Sequence, residues 1–190
     1  MTALVLGVGF NDKKYPAAIK RKCTKQYYLW QNMLKRCYDG NYQAKQPTYI
    51  GCSASDKFKN YSYFYEWCQA QIGFGNNGWQ IDKDIIRRDN KVYSEDVCVF
   101  VPREINNFFT TRGADRGHHP IGVDFHKITG KYQARCNVNG KSKYLGLFAD
   151  QQEAFEVYKQ CKEESCKQIA NKWRSQIDER TYAAMMSWEV

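Results

Sequence analysis

The sequence predicts an α+β protein: a helical N-terminal region, a central strand–loop–strand–helix unit, and a three-stranded antiparallel sheet packed on a helix at the C-terminal side. Three observations carry this reading. Apolar residues recur at helical spacing between positions 24 and 72, as in Trp30, Met33, Leu34 and Cys37. Period-two alternation governs 121–148, where Tyr132, Ala134, Cys136 and Val138 share one strand face while Gln133, Arg135 and Asn137 share the other. Over 110–120 the chain is polar, basic and glycine-containing, which reads as a linker. The boundaries follow: 1–110 for the helical region and central unit, 111–120 for the linker, 121–174 for the sheet and its helix, and 175–190 for a tail.

An N-terminal strand or arm over 3–10 leads to the basic run Lys20, Arg21, Lys22 and then to a helix over about 24–38. A loop containing Gly40, Pro47, Gly51 and Ser53 follows, and a second helix is expected over about 56–72, with Tyr61, Phe64, Cys68 and Ile72 on one side. The aromatics in both stripes read as core. After the glycine-rich 73–78 comes a strand over 79–86, a turn at 87–90, a return through Val92, Tyr93 and 98–101, and a short helix opening at Pro102. In the C-terminal domain the strands are 121–127, 132–138 and 142–148, joined at Thr129-Gly130 and Asn139-Gly140. A helix from Asp150 supplies the cover, through Ala154, Val157, Tyr158, Cys161 and Ser165. The tail carries Ile177, Tyr182, Met185, Met186 and Trp188, enough apolar surface to dock on the chain's own core or to form a homodimer.

Charge and cysteine usage narrow the function classes. The 190 residues carry a formal net charge of +9, with a pI near 9.1, which suits a polyanionic partner. Eight cysteines stand at 23, 37, 52, 68, 98, 136, 161 and 166 without a CxxC pair, so no zinc is expected and a reduced state is. No run approaches membrane-spanning length, and the expectation is a soluble, intracellular protein.

Two constellations carry chemistry. Period-two geometry places Asp82 and Asp84 on one face of the strand over 79–86, where both reach a single cation. With Asn90 and Asn107 they form a set of hard oxygen donors suited to Mg2+ or Mn2+. The alternative is structural, with the two carboxylates pairing to Arg87 and Arg88. The second constellation is the polar face of the C-terminal sheet, whose Arg, Lys, Asn and Gln side chains match the hydrogen-bonding edges of bases in a major groove.

The words Gly122-Val-Asp-Phe-His-Lys, Lys131-Tyr-Gln-Ala-Arg, Asn139-Gly-Lys, Tyr144-Leu-Gly-Leu-Phe and Glu153-Ala-Phe-Glu-Val-Tyr resemble the Apetala-type (ERF) DNA-binding domain, over about a fifth of the chain. That family sets its three-stranded sheet in the major groove. The resemblance implies that His126, Lys131, Gln133, Arg135, Asn137, Ser142 and Tyr144 face double-stranded DNA. Asp124 and His126 stand where plant members have arginines, and Tyr144 where they usually have tryptophan, so a sequence preference does not transfer.

Upstream, Ile81-Asp-Lys-Asp, Asn90-Lys-Val-Tyr-Ser, Cys98-Val-Phe-Val-Pro and Glu104-Ile-Asn-Asn resemble the ββα-metal core of HNH endonucleases of the phage and mobile-element type. The resemblance implies metal-dependent phosphodiester hydrolysis of the homing or nicking kind, with Asp82, Lys83, Asp84 and Asn90 as catalytic candidates and Asp82, Asp84 and Asn107 as metal ligands. It also implies a phage protein working in the cytoplasm of a bacterial host. The motif is degenerate, because its general-base histidine falls at Lys83 and its central asparagine at Val97. Asp84 or a neutral Lys83 would then have to act as base. Two other readings stay open: a catalytically silent DNA-binding regulator, and a phage factor that inhibits a host protein.

Overall fold

The computed structural model describes residues 4–110, 118–138 and 140–190. The chain is mixed α+β and divides into two compact units. One runs to Arg103 and takes in Gln176–Thr181; the other comprises Glu104–Ser175 and Tyr182–Val190. The expected linker falls largely outside the described residues, at 111–117. Among the described residues no helix is long and apolar enough to cross a membrane.

The first unit opens with a turn bridged between Val5 and Gly9, then a two-stranded hairpin of β1 (Ala18–Ile19) and β2 (Lys22–Cys23). Helix α1 (Lys25–Tyr38) starts where Thr24 Oγ1 accepts the Tyr27 amide, and it buries the expected stripe of Trp30, Met33, Leu34 and Cys37. Trp30 is fully enclosed, and its indole N–H donates to the Phe58 carbonyl at 2.8 Å, so the ring is buried without an orphaned donor. Short α2 (Gly40–Lys45) and a 3-10 turn (Pro47–Tyr49) lead to β3 (Ser53–Ala54).

The second expected helix is divided in two, α3 (Asp56–Lys59) and α4 (Tyr61–Ala70). The break is at Asn60. Its side chain accepts the Tyr63 amide as an N-cap, and its neighbours bond to Phe10 of the N-terminal arm, the Phe10 amide to Lys59 O and the Tyr61 amide to Phe10 O, both at 2.9 Å. Tyr61, Phe64 and Cys68 are buried as the stripe required, whereas Ile72 lies beyond the helix end and is exposed.

Strand β4 is Trp79–Asp82, shorter than the expected 79–86, and pairs antiparallel with fully buried β6 (Val99–Pro102). Between them β5 (Val92–Tyr93) leaves this pair and joins β3 in parallel. Helix α5 (Arg103–Phe109) begins one residue after Pro102.

In the second unit, β7 (Val123–His126), β8 (Lys131–Val138) and β9 (Lys141–Phe148) form the antiparallel sheet in the order β7-β8-β9. Helix α6 (Gln151–Trp173) is capped by Asp150, whose carboxylate accepts the Gln152 and Glu153 amides. It packs Ala154 against Val123 and Ala134, with Tyr132, Leu145, Phe148 and Phe155 around them. Glu104 ties α5 to the far end of α6 by accepting from Lys172 Nζ and Trp173 Nε1, each at 2.7 Å. Short α7 (Glu179–Met186) ends the chain; Ile177 and Met185 are buried, and Trp188 packs edge-on against Phe108 and Phe109.

Gly122, just before β7, packs closely on Tyr158 of α6. It has φ +76°, and a Cβ there would lie 2.1 Å from the Tyr158 ring. Gly122→Ala therefore combines a left-handed backbone with an overpacked core, and we expect it to destabilise the protein by about 2–4 kcal/mol. Denaturant titration checks this; a loss under about 0.5 kcal/mol would show that the contact yields freely.

Candidate nucleic-acid interface and acidic loop

Cross-strand pairing decides which side chains share the face of the sheet opposite α6. Asp124 lies opposite Gln133, and His126 opposite Lys131, so these four stand on the side away from Val123, Tyr132 and Ala134. Continuing across β9, Arg135 pairs with Tyr144 and Asn137 with Ser142. All seven residues expected to face DNA thus occupy one side of the sheet, joined by Asp124 and by Leu147 opposite Gln133.

The alignment depends on a bulge between Ala134 and Arg135. Ala134 pairs with Gly146 but Arg135 pairs with Tyr144, so Leu145 is the extra residue and joins the core beside Ala134. Alternation alone could not supply this; the available signal was a glycine inside a strand, Gly146.

Side-chain contacts organise part of the face. With its amide oxygen turned toward the guanidinium, Gln133 accepts from Arg135 Nε at 3.0 Å and Nη2 at 2.9 Å. The His126 ring Nδ1 is 2.9 Å from Thr129 Oγ1. Lys131, Asn137, Ser142 and Tyr144 are exposed, with no side-chain hydrogen bond among the described residues. Val138 and Lys141 are paired; the expected Asn139-Gly140 turn includes Asn139, which lies outside the described residues.

The acidic constellation has a different geometry from the one its spacing predicts. Strand β4 ends at Asp82 because its carboxylate Oδ1 accepts the amides of Asp84 at 2.7 Å and Ile85 at 2.9 Å, turning the chain. Asp84 consequently does not share a strand face with Asp82. It is exposed and ion-paired at 2.5 Å with Lys83, rather than with the expected Arg87 or Arg88. Lys83 is buried, and its ammonium also donates to the Asn90 carbonyl at 2.5 Å; both contacts are to acceptors, so Nζ serves as a donor. Asn90 closes the loop, donating from Nδ2 to Lys83 O at 2.9 Å and Val92 O at 2.6 Å while its Oδ1 accepts the Val92 amide. Asn107 is an exposed residue of α5 in the second unit, so neither unit alone holds the whole proposed ligand set.

Among the described residues no three His, Cys, Asp or Glu side chains cluster as a metal site. Six cysteines are buried and act as small apolar groups; burial pushes up the thiols of Cys37 and Cys166 to about 12 and of Cys136 to about 11. Compared with protein-family models, curated proteins and solved structures, the chain matches none.

Burial raises the pKa of Asp82 above its ordinary value. Below the unfolded value of about 3.9 both states hold the proton, and no penalty exists. As pH rises through the folded value the native state must hold a desolvated charge, so stability is lost. Asp82→Asn keeps an oxygen for the two amides but cannot ionise. Thermal melts should show the variant more stable than the parent at pH 7, the gap closing as pH falls toward 4. A gap independent of pH would contradict a half-buried Asp82 that ionises at a desolvation cost.

Proposed function

We propose that the protein binds double-stranded DNA sequence-selectively through the open face of β7, β8 and β9. The observation that carries this is the gathering of His126, Lys131, Gln133, Arg135, Asn137, Ser142 and Tyr144 on one face of the sheet, with Lys131, Arg135, Asn137, Ser142 and Tyr144 exposed, while α6 packs on the opposite face. A narrow sheet of this kind fits a major groove about 12 Å wide, where Arg pairs with guanine and Gln or Asn with adenine. Lys131 supplies a phosphate contact. The Gln133–Arg135 contact restrains the guanidinium before binding, which lowers the ordering cost. The resemblance to the Apetala-type domain supports the same face.

Between a cleaving and a catalytically silent form of this reading, the acidic loop favours the silent one. Catalysis of the HNH kind would need Asp82 and Asp84 on one Mg2+ or Mn2+ ion and a free base. Asp82 instead accepts two amides, Asp84 holds Lys83, and Lys83 and Asn90 brace the loop. The conclusion is a DNA-binding regulator with an endonuclease-like central segment.

Fluorescence anisotropy over a panel of duplexes tests the binding. Arg135→Ala should narrow the gap between preferred and random sequences by about 1–3 kcal/mol. An equal loss on every sequence would make Arg135 a phosphate contact, and no binding by the parent would end the proposal. Supercoiled plasmid carrying the preferred site should stay intact in Mg2+ and in Mn2+. Chelator-sensitive nicking that Asp84→Ala abolishes would restore the enzymatic reading.

A further inference from the structure

The β1–β2 hairpin is built from a turn its residues do not favour. Ile19 pairs with Lys22, leaving a two-residue connection of Lys20 and Arg21, with φ +48° and +65°. Two positive φ values are the pattern of a type I′ turn, which selects Asn-Gly because Cβ of other residues crowds the following carbonyl. Two long basic side chains occupy those positions in place of the low-strain pair. Strain of this kind is held by the structure around it and clusters at functional sites.

Charge and anchoring point the same way. The thirteen residues 13–25 contain six Lys or Arg and no Asp or Glu. Lys14 is neutralised by Glu66 at 2.7 Å, and Lys25 reaches the Asn76 carbonyl. Lys20, Arg21 and Lys22 are exposed and make no ion pair among the described residues. The base of the hairpin is fixed to the core. Thr24 N donates to Ala17 O at 2.9 Å, the fully buried Tyr61 donates its hydroxyl to Pro16 O at 3.0 Å, and Tyr15 stacks on Tyr65 at 4.0 Å. A cationic tip on an anchored base is suited to a fixed row of phosphates, since the hairpin backbone has little freedom left to lose on binding.

We propose that Lys20, Arg21 and Lys22 form a second, sequence-independent contact to the phosphate backbone of double-stranded DNA, made by the first unit. This rests on the reading of the protein as a duplex binder.

The test uses the full chain, random-sequence duplex, and affinity measured against salt. Lys20→Asn/Arg21→Gly installs the favoured turn, so the variant should melt at or above the parent temperature while binding about tenfold more weakly. Its log–log salt slope should fall by about 2, roughly 0.9 for each phosphate no longer neutralised. Lys22→Gln, which leaves the turn untouched, should lower the slope by about 1. A charge-matched control, Lys35→Gln/Lys45→Gln on α1 and α2, should leave the slope nearly unchanged. The proposal is overturned if the hairpin variants keep the parental slope, or if the control lowers it equally. Should these results accompany an Arg135→Ala variant with reduced selectivity, the sheet reading survives and the hairpin contact alone fails. A parent chain that binds no duplex ends both.

Discussion

The face offered by the C-terminal sheet depends on one register shift, the bulge that makes Arg135 pair with Tyr144 after Ala134 has paired with Gly146. In an unbroken ladder Arg135 would oppose Leu145, setting an apolar side chain in the middle of a polar surface and turning every residue of β9 before it to the other side. The bulge instead returns Leu145 to the core beside Ala134 and Ala154 and brings Tyr144 and Ser142 out beside Arg135 and Asn137. Gly146 permits this. Its φ is +142°, and a Cβ would approach the Phe148 ring to 2.9 Å, so a side chain there would oppose the bend that carries the face.

The two candidate sites differ in what their polar groups are already doing. Around Asp82 nearly every hydrogen-bonding group is satisfied locally: two amides on the Asp82 carboxylate, Lys83 between Asp84 and a carbonyl, and Asn90 spanning the loop. Buried networks of that kind hold a chain in one conformation, and removing a member leaves its partners unsatisfied. On the sheet, Lys131, Asn137, Ser142 and Tyr144 are exposed and uncommitted among the described residues. Groups left available to solvent on a surface fixed by core packing are what recognition requires, whereas groups consumed in their own loop stabilise that loop.

Much of this arrangement was legible in the sequence, and the parts that were not share a cause. The stripe Trp30, Met33, Leu34, Cys37 and the alternation in β8 are local, and a packed core needs little else to realise them. The break at Asn60 was hidden because it depends on Phe10, fifty residues away, as well as on the capping side chain. The parallel pairing of β5 with β3 is likewise non-local, and no turn signal announces it. Asp82 departs from expectation for a different reason: period-two geometry holds only where a strand continues to Asp84, while the Asp82 side chain ends that strand by taking the next amides. The expected partners Arg87 and Arg88 gave way to Lys83, which is adjacent in sequence and buried under the same loop.

The most direct test is amide chemical-shift mapping of the full chain titrated with duplex DNA carrying the preferred site. Recognition through the open sheet predicts shifts concentrated on His126, Lys131, Gln133, Arg135, Asn137, Ser142 and Tyr144, with the buried positions of α6 such as Ala154 and Ala170 little changed. Shifts confined to α6, or a duplex that leaves β7, β8 and β9 unperturbed while binding elsewhere, would contradict it.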